Sequence, residues 1–148
     1  MGTGSSHGNT SLLLLLLFSV LVSKCLSLTT VEIQNAIDDD NISLDMHCRS
    51  KNNDLGQRSL FKGDSWHWDF RAIEGLTHFW CDFRWYDNLN HHWLGGTFDV
   101  YRSGFPRDKY KNELCGTDCV WSARRDGFYL YQDNTGAWQK RDDWHVVP

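Results

Sequence analysis

Residues 77–85 read Thr-His-Phe-Trp-Cys-Asp-Phe-Arg-Trp, and this stretch decides the fold class because large apolar residues and a cysteine recur at every second position. Successive side chains of a β-strand point to opposite faces. The pattern therefore predicts a strand that buries Phe79, Cys81, Phe83 and Trp85. The residues between them are mostly polar and are expected on the outer face.

The same two-residue period recurs on both sides of this run, with turn-forming residues between the repeats. Further alternating runs lie at residues 31–33, 42–48, 66–70, 98–100, 119–123 and 128–131, with a weaker one at 138–146. Hairpins are predicted at Asp126-Gly127 and at residues 133–136, since these residue types accept a positive φ. Gly95-Gly96 predicts a turn before the fifth strand. Together these signals predict an all-β fold, a small antiparallel β-sandwich of about eight strands.

An apolar run from Leu12 to Val22 has the pattern of a secretory signal peptide. It is shorter than the roughly 20 residues that a membrane-spanning helix needs, so we predict no stable membrane insertion. We predict cleavage after Ser27, which makes residues 1–27 the leader and residues 28–148 one mature domain. Loss of Lys24 leaves 14 basic against 19 acidic residues, a net charge of −5. This balance disfavours nucleic-acid binding, which needs a basic face.

Cleavage also removes Cys25 and leaves four cysteines, Cys48, Cys81, Cys115 and Cys119. An even number in a short secreted chain predicts a disulfide framework, so we expect a sandwich stapled by two disulfides. A four-ligand zinc site is disfavoured because only one closely spaced cysteine pair is present. The residues alone leave all three disulfide pairings open.

Residue types that support catalysis or metal binding occur without the spacing those functions need. His47 and Cys48 are neighbours on a predicted strand and point to opposite faces, so they do not form a nucleophile pair. Residues 38–40 are three consecutive aspartates and lack the spaced ligands of a calcium loop. His91-His92 is a weak metal signal. We therefore predict that the protein is not an enzyme and holds no cofactor and no metal.

Eight tryptophans are a large number for a chain of 148 residues. Those in phase with the buried positions are expected to fill the core between the sheets, where each ring buries a large area. They are Trp66, Trp68, Trp85 and Trp121. Trp80 and Trp93 are out of phase or near a loop, so we expect them to be partly exposed in an interaction patch.

The tripeptide Asn41-Ile42-Ser43 is an N-glycosylation sequon. It lies in a predicted turn between two strands of a secreted domain. Asn41 is therefore predicted to carry a glycan.

Several motifs, in chain order, resemble those of the plant self-incompatibility proteins, also called S-protein homologues. Residues 47–56, His-Cys-Arg-Ser-Lys-Asn-Asn-Asp-Leu-Gly, resemble the signature His-Cys-Lys/Arg-Ser-Lys-x-x-Asp-Leu-Gly. Further likenesses are an aromatic strand, a second cysteine strand, a Cys-x3-Cys-x-Trp element and an Asp-Gly-x-Tyr hairpin, at residues 66–70, 77–83, 115–121 and 126–129. The resemblance extends from Thr30 to about Trp144 and includes all four cysteines.

The resemblance implies a secreted β-sandwich with two disulfides. In the founding members, from poppy, the stigma releases the protein, which acts as a ligand for a pollen-surface determinant. It triggers calcium signalling that stops self pollen. For the disulfides of this chain, we expect Cys48 to pair with Cys119 and Cys81 to pair with Cys115.

The resulting hypothesis is a monomeric, secreted plant signalling ligand that binds a cell-surface receptor, with pollen–pistil recognition as one setting. Receptor contacts are expected in loops, because a rigid sandwich displays loops that tolerate change. The candidate residues are Asp39, Asp40, Asn88, His91, His92, Arg107 and Lys109. The alternative is a secreted carbohydrate-binding or defence protein, since exposed tryptophans stack on sugar rings. A membrane-active protein is a third interpretation.

Overall fold

The computed structural model describes residues 8–26, 28–104 and 115–148. In these residues one helix, α1 (Gly8–Leu26), precedes ten strands. The strands are β1 (Thr29–Asn35), β2 (Leu44–Ser50), β3 (Asp54–Leu60), β4 (Ser65–Phe70), β5 (His78–Asp87), β6 (His92–Arg102), β7 (Asp118–Arg124), β8 (Gly127–Gln132), β9 (Ala137–Asp142) and β10 (His145–Val147).

The strands form two five-stranded sheets, which are the two layers of a sandwich. Sheet A has the order β4-β1-β7-β8-β9, and sheet B has the order β10-β6-β5-β2-β3. The predicted all-β sandwich is confirmed. Two details of the prediction were wrong: the described residues form ten strands rather than about eight, and β1 pairs with β7 in parallel, so the sandwich is not wholly antiparallel.

The two additional strands escaped prediction for different reasons. The edge strand β3 buries only Leu60, so its residues show no apolar alternation. The weak run at residues 138–146 divides into β9 on sheet A and β10 on sheet B, with Trp144 packed against the core between them. A chain that crosses from one layer to the other loses the period of a single strand.

The predicted turn at Gly95-Gly96 is wrong, because both glycines lie inside β6. A Cβ atom at Gly96 would lie 2.4 Å from the ring of Phe98, and one at Gly95 would lie 2.3 Å from the carbonyl oxygen of Phe83. The glycines therefore permit close packing within a strand rather than a reversal of the chain.

The predicted hairpins are confirmed. Arg125 and Asp126 connect β7 to β8, with Arg124 opposite Gly127. Gly127 has a φ of 154°, and a Cβ atom there would lie 2.6 Å from the Asp142 carbonyl oxygen, so a side chain does not fit. Residues 133–136 connect β8 to β9.

Rings from both sheets fill the core. Trp121 on sheet A stacks on Phe128, with ring centroids 4.8 Å apart and planes at 6°. The Nε1 atom of Trp121 donates a hydrogen bond to the carbonyl oxygen of Val100 on sheet B (2.9 Å). This buried bond joins the two layers.

The tryptophans divide largely as their phase predicts. Trp85 and Trp121 are buried, and Trp66 and Trp68 pack half-buried against the core. Trp93 is exposed on the outer face of sheet B.

The predicted disulfide pairing is wrong. Cys48 pairs with Cys81, and Cys115 pairs with Cys119. Cys48 and Cys81 lie directly opposite each other on the neighbouring strands β2 and β5, with Cα atoms 4.0 Å apart. Cys119 lies on sheet A, the other layer. Strand order brings Cys48 and Cys81 together, and spacing along the chain does not report strand order.

Helix α1 keeps its apolar side chains exposed. From Leu12 to Val22 the large apolar side chains are between 38% and 67% exposed. In the described parts of the chain, no helix is both long and apolar enough to cross a membrane.

Candidate functional site

Four turns meet at one end of the sandwich, which we call the loop end. They are residues 36–43, 61–64, 88–91 and 125–126, which follow β1, β3, β5 and β7. Because β1 and β7 run in parallel, Asn35 at the end of β1 lies beside Ala123 near the end of β7. The turns that follow these two strands therefore start at the same end of the sheet. The loop end therefore combines turns from both sheets.

The buried side chain of Asn35 holds two of these turns in place. Its Nδ2 atom donates to the carbonyl oxygens of Leu60 (2.8 Å) and Ile42 (3.4 Å), and its Oδ1 atom accepts the N–H of Ile37 (3.0 Å). Asn35 is only 1% exposed, so these bonds form in a region with little water. A buried, fully used amide of this kind gives the turns one defined position.

A buried ion pair joins the other turns. Arg125 donates from Nη1 to Oδ1 of Asp87 (2.8 Å) and from Nε to Oδ1 of Asp38 (3.4 Å). Only 4% of the Asp87 side chain is exposed. One guanidinium group therefore connects the hairpin of sheet A, the end of β5 on sheet B and the turn after β1.

Local hydrogen bonds shape the turn that follows Asp87. The Oδ1 atom of Asp87 accepts the N–H of Leu89 (3.1 Å), and its Oδ2 atom accepts Nδ2 of Asn90 (2.7 Å). Aspartate favours such turns because its short side chain reaches the backbone two residues ahead. His91 completes the reversal with a φ of 57°.

The three consecutive aspartates each contact a different cationic or hydrogen-bond-donating side chain. Asp38 faces Arg125, Asp39 accepts Nδ2 of Asn88 (2.6 Å), and Asp40 pairs with Lys62 (3.2 Å). Each contact reaches a different turn of the loop end. The carboxylates therefore act as links between turns, each with its own partner.

Two carboxyl groups of the loop end, those of Asp87 and Asp39, have pKa values below the ordinary value of an aspartate. Burial by itself raises the pKa of Asp87, but hydrogen bonds from Asn90 and Leu89 and the charge of Arg125 outweigh it, so its pKa lies below the ordinary value. Hydrogen bonds from the Asn41 N–H and from Asn88 lower the pKa of Asp39.

An Asp87→Asn substitution is expected to lower the free energy of unfolding at neutral pH by about 1–3 kcal/mol, because Arg125 loses a buried charged acceptor. The folded-state pKa of Asp87 is lowered, so the stabilisation is fully present above about pH 4 and is lost as the pH falls through the folded pKa. The variant should therefore lose less stability on acidification than the wild type. Urea unfolding at pH 7 and below pH 4 measures both effects.

The exposed Asp133→Asn substitution, in the turn between β8 and β9, is the matched control and should change neither quantity. An unchanged acid dependence in Asp87→Asn would show that the buried ion pair does not stabilise the loop end.

The structure brings together five of the predicted contact residues. Asp39, Asp40, Asn88, His91 and His92 all lie at the loop end.

Arg107 and Lys109 lie outside the described residues. The described positions that flank them, Arg102 at the end of β6 and Cys115 before β7, lie at the opposite end of the sandwich.

The individual contact residues named from the sequence do not include Asp87 and Arg125, the pair that organises the loop end. Asp87 lies two residues beyond the longest alternating run, residues 77–85, and Arg125 directly precedes the predicted Asp-Gly hairpin. A charged residue at each of two strand ends was the available signal. It is weak, because strand ends are usually polar and solvated.

Among the described residues, two histidines each contact one carboxylate. His47 contacts Asp54, and His78 contacts Asp99, each with a 2.6 Å separation. Across residues 8–26, 28–104 and 115–148, no three His, Cys, Asp or Glu side chains form a group that could hold a metal ion. Cys48 is part of a disulfide.

The geometry defines a class of protein, a small disulfide-stapled β-sandwich that presents interlocked turns at one end. The sequence profile of the family described as plant self-incompatibility protein S1 matches residues 30–144. The chain belongs to this family, which confirms the resemblance drawn from its motifs.

Individual relatives agree with this assignment. S-protein homolog 2 of Arabidopsis thaliana is 36% identical over 118 residues, which cover 78% of this chain and 68% of that protein. Self-incompatibility protein S1 of Papaver rhoeas is 31% identical over 98 residues, 66% of this chain and 64% of that protein.

A solved structure of SPH (self-incompatibility protein homologue) proteins is also similar to this chain. It matches with a TM-score of 0.56 and 25% identity, over 80% of this chain and 96% of that chain. Those proteins are described as a widespread family of small, highly stable, secreted proteins from plants.

Proposed function

We propose that this protein is a secreted plant signalling ligand that binds a cell-surface receptor through the loop end, with pollen–pistil recognition as one setting. One observation carries the proposal: Arg125 joins turns from both sheets through Asp38 and the buried Asp87. A surface held in one arrangement before binding loses less conformational entropy when a receptor engages it.

Exposed apolar side chains beside these polar links support the same surface. Leu89 is 66% exposed in the turn after β5, and Phe61 is 54% exposed in the turn after β3. Apolar side chains surrounded by polar residues are typical of protein–protein contact sites.

Secretion is proposed from the N-terminal segment and from the family. Residues 1–27 are the proposed leader, and the exposed apolar side chains of α1 are those of a segment that the sandwich does not bury. The proposed mature protein begins at Leu28, one residue before β1. Membership of a family with secreted relatives supports export.

Asn41 is the proposed glycosylation site, since it is exposed at the loop end and its sequon is intact. A glycan at this position would border the proposed receptor surface. The intact mass of the secreted protein, before and after enzymatic removal of N-glycans, tests both the start at Leu28 and the glycan. A mass that still includes residues 1–27 would contradict the start at Leu28. A mass that enzymatic removal of N-glycans leaves unchanged would contradict the glycan at Asn41.

Receptor binding is tested with labelled, disulfide-intact protein on plasma-membrane fractions of pollen and of vegetative tissue. We expect saturable binding that unlabelled protein displaces. Binding to pollen membranes places the ligand in pollen–pistil recognition, and binding confined to vegetative membranes places it in another signalling process. The absence of saturable binding to either fraction would contradict the proposal.

The double variant Asp39→Ala/Asn88→Ala removes the 2.6 Å link between two turns of the loop end. We expect binding to membranes to weaken by about tenfold or more, as for central residues of an interface. The chemically matched control is Asp133→Ala/Asn134→Ala, in the exposed turn between β8 and β9 at the opposite end. Equal affinities of the two variants would place the receptor contact elsewhere.

A further inference from the structure

A polar groove of about 590 Å³ crosses the outer face of sheet B. Its volume falls within the range of about 300–1,000 Å³ that small-molecule sites occupy. The polar side chains that line it come from four adjacent strands, so its shape depends on the sheet rather than on a loop. They are Asp45, His47, Gln57, Arg58, Ser59, Asp82, Arg84 and Thr97.

Hydrogen bonds fix the two carboxylates of this groove. Asp82 accepts the hydroxyl of Thr97 (2.6 Å) and also pairs with Arg49. Asp45 accepts the hydroxyl of Ser59 (2.7 Å). Each carboxylate oxygen has more than one acceptor position, so these groups are oriented and can still accept a ligand hydroxyl.

Aromatic rings lie on both sides of the polar residues, exposed on one side and half-buried on the other. Tyr86 and Trp93, with ring centroids 5.4 Å apart, are 39% and 36% exposed on the side toward the loop end. Arg84, which also lines the groove, lies over the ring of Trp93 (4.2 Å). Trp80 lies on the outer face on the other side of Asp82, about 20 Å from Tyr86 along β5.

The charges of the groove limit the ligand class. Among the lining side chains are two carboxylates, Asp45 and Asp82, and two guanidinium groups, Arg58 and Arg84, of which Arg84 also donates to the oxygen of Pro148 (2.6 Å). These four side-chain charges balance, so neither a strongly acidic nor a strongly basic ligand is favoured. Closely spaced donors and acceptors flanked by flat apolar rings fit a neutral molecule that has many hydroxyl groups and flat apolar faces.

From this arrangement we propose that the outer face of sheet B binds a neutral oligosaccharide. The polar side chains between the rings hydrogen-bond to its hydroxyls, and Trp93 and Trp80 stack against its sugar rings. The proposal is independent of the receptor surface, because the groove lies on the flat of one sheet and the receptor surface lies at its end. Either can fail without the other.

The test is calorimetric titration of the purified, disulfide-intact protein with cellohexaose, xylohexaose and mannohexaose, with hexagalacturonate as the acidic comparison. We expect saturable binding of at least one neutral hexasaccharide. Trp93→Ala and Asp82→Asn should each weaken it by about tenfold or more. Trp138→Ala, a tryptophan on the outer face of sheet A, is the matched control and should leave binding unchanged.

Gln57→Ala keeps the test decisive if the other groove variants fold poorly, because Gln57 is an exposed residue on an edge strand. It should also weaken binding. Three results would overturn the proposal. The first is the absence of saturable binding heat with every neutral sugar up to about 5 mM. The second is sugar binding that the groove variants leave unchanged, and the third is tighter binding of hexagalacturonate than of the neutral sugars.

Discussion

Replacing Trp121 with alanine is expected to lower the free energy of unfolding by about 5 kcal/mol, the upper end of the range for a buried tryptophan. The side chain is 5% exposed, stacks on Phe128 and donates a hydrogen bond to Val100 across the sandwich. Its removal leaves a large cavity between the sheets and a buried carbonyl oxygen without this donor. Because small domains have a stability of about 5–15 kcal/mol, urea unfolding should show a variant that is barely folded.

The Trp121→Phe variant keeps an aromatic ring on Phe128. It loses the donor to Val100 and part of the buried ring volume, so we expect a smaller loss than for alanine, about 1–3 kcal/mol. If Trp121→Ala costs no more than Trp121→Phe, the stacked rings do not hold the two sheets together as described here.

The second large effect is expected from the double variant Cys48→Ala/Cys81→Ala. The two cysteines are fully buried and 33 residues apart in sequence. A cross-link over this separation stabilises by about 4 kcal/mol in the chain-entropy model. Thermal unfolding should show a midpoint lower by about 10–20 °C.

The disulfide Cys115–Cys119 provides the comparison, because it closes a loop with a separation of only 4 residues. The same model gives about 2 kcal/mol for the double variant Cys115→Ala/Cys119→Ala. Non-reducing peptide mapping should recover both links. Recovery of Cys48 linked to Cys119, or a larger loss from the short loop than from the long one, would contradict this pairing.

Much of the scaffold could be predicted because alternation is a local property. The period of residues 77–85 placed Phe79, Cys81, Phe83 and Trp85 in the core, where all four are buried. The Asp-Gly pair likewise predicted the hairpin between β7 and β8. In both cases the residues that decide the structure are neighbours in sequence.

Features that depend on strand order could not be predicted. The disulfide of Cys48 follows from the pairing of β2 with β5, and the ion pair of Asp87 with Arg125 joins residues on different sheets. The exposed edge strand β3 has no alternation to reveal it. Such features depend on contacts between residues far apart in the chain, which one sequence does not display.

In the candidate site, too, the local features could be predicted and the contacts between distant residues could not. The sequence indicated that loops would carry the contacts, and Asp39 and Asn88 were among the residues named for it. Their direct hydrogen bond shows that two separate candidate loops form one surface. The sandwich supplies the stability, and the loop end supplies the organised polar and apolar groups of the proposed receptor surface.

Photo-crosslinking tests the central proposal most directly. A photoreactive residue is placed at Leu89, which is 66% exposed at the loop end, or at Leu76, which is 77% exposed in the loop between β4 and β5 at the opposite end. On membranes that bind the protein, we predict that the Leu89 probe captures a membrane protein, that unlabelled wild type prevents the capture, and that the Leu76 probe captures none. Capture from Leu76 and not from Leu89 would contradict a receptor surface at the loop end.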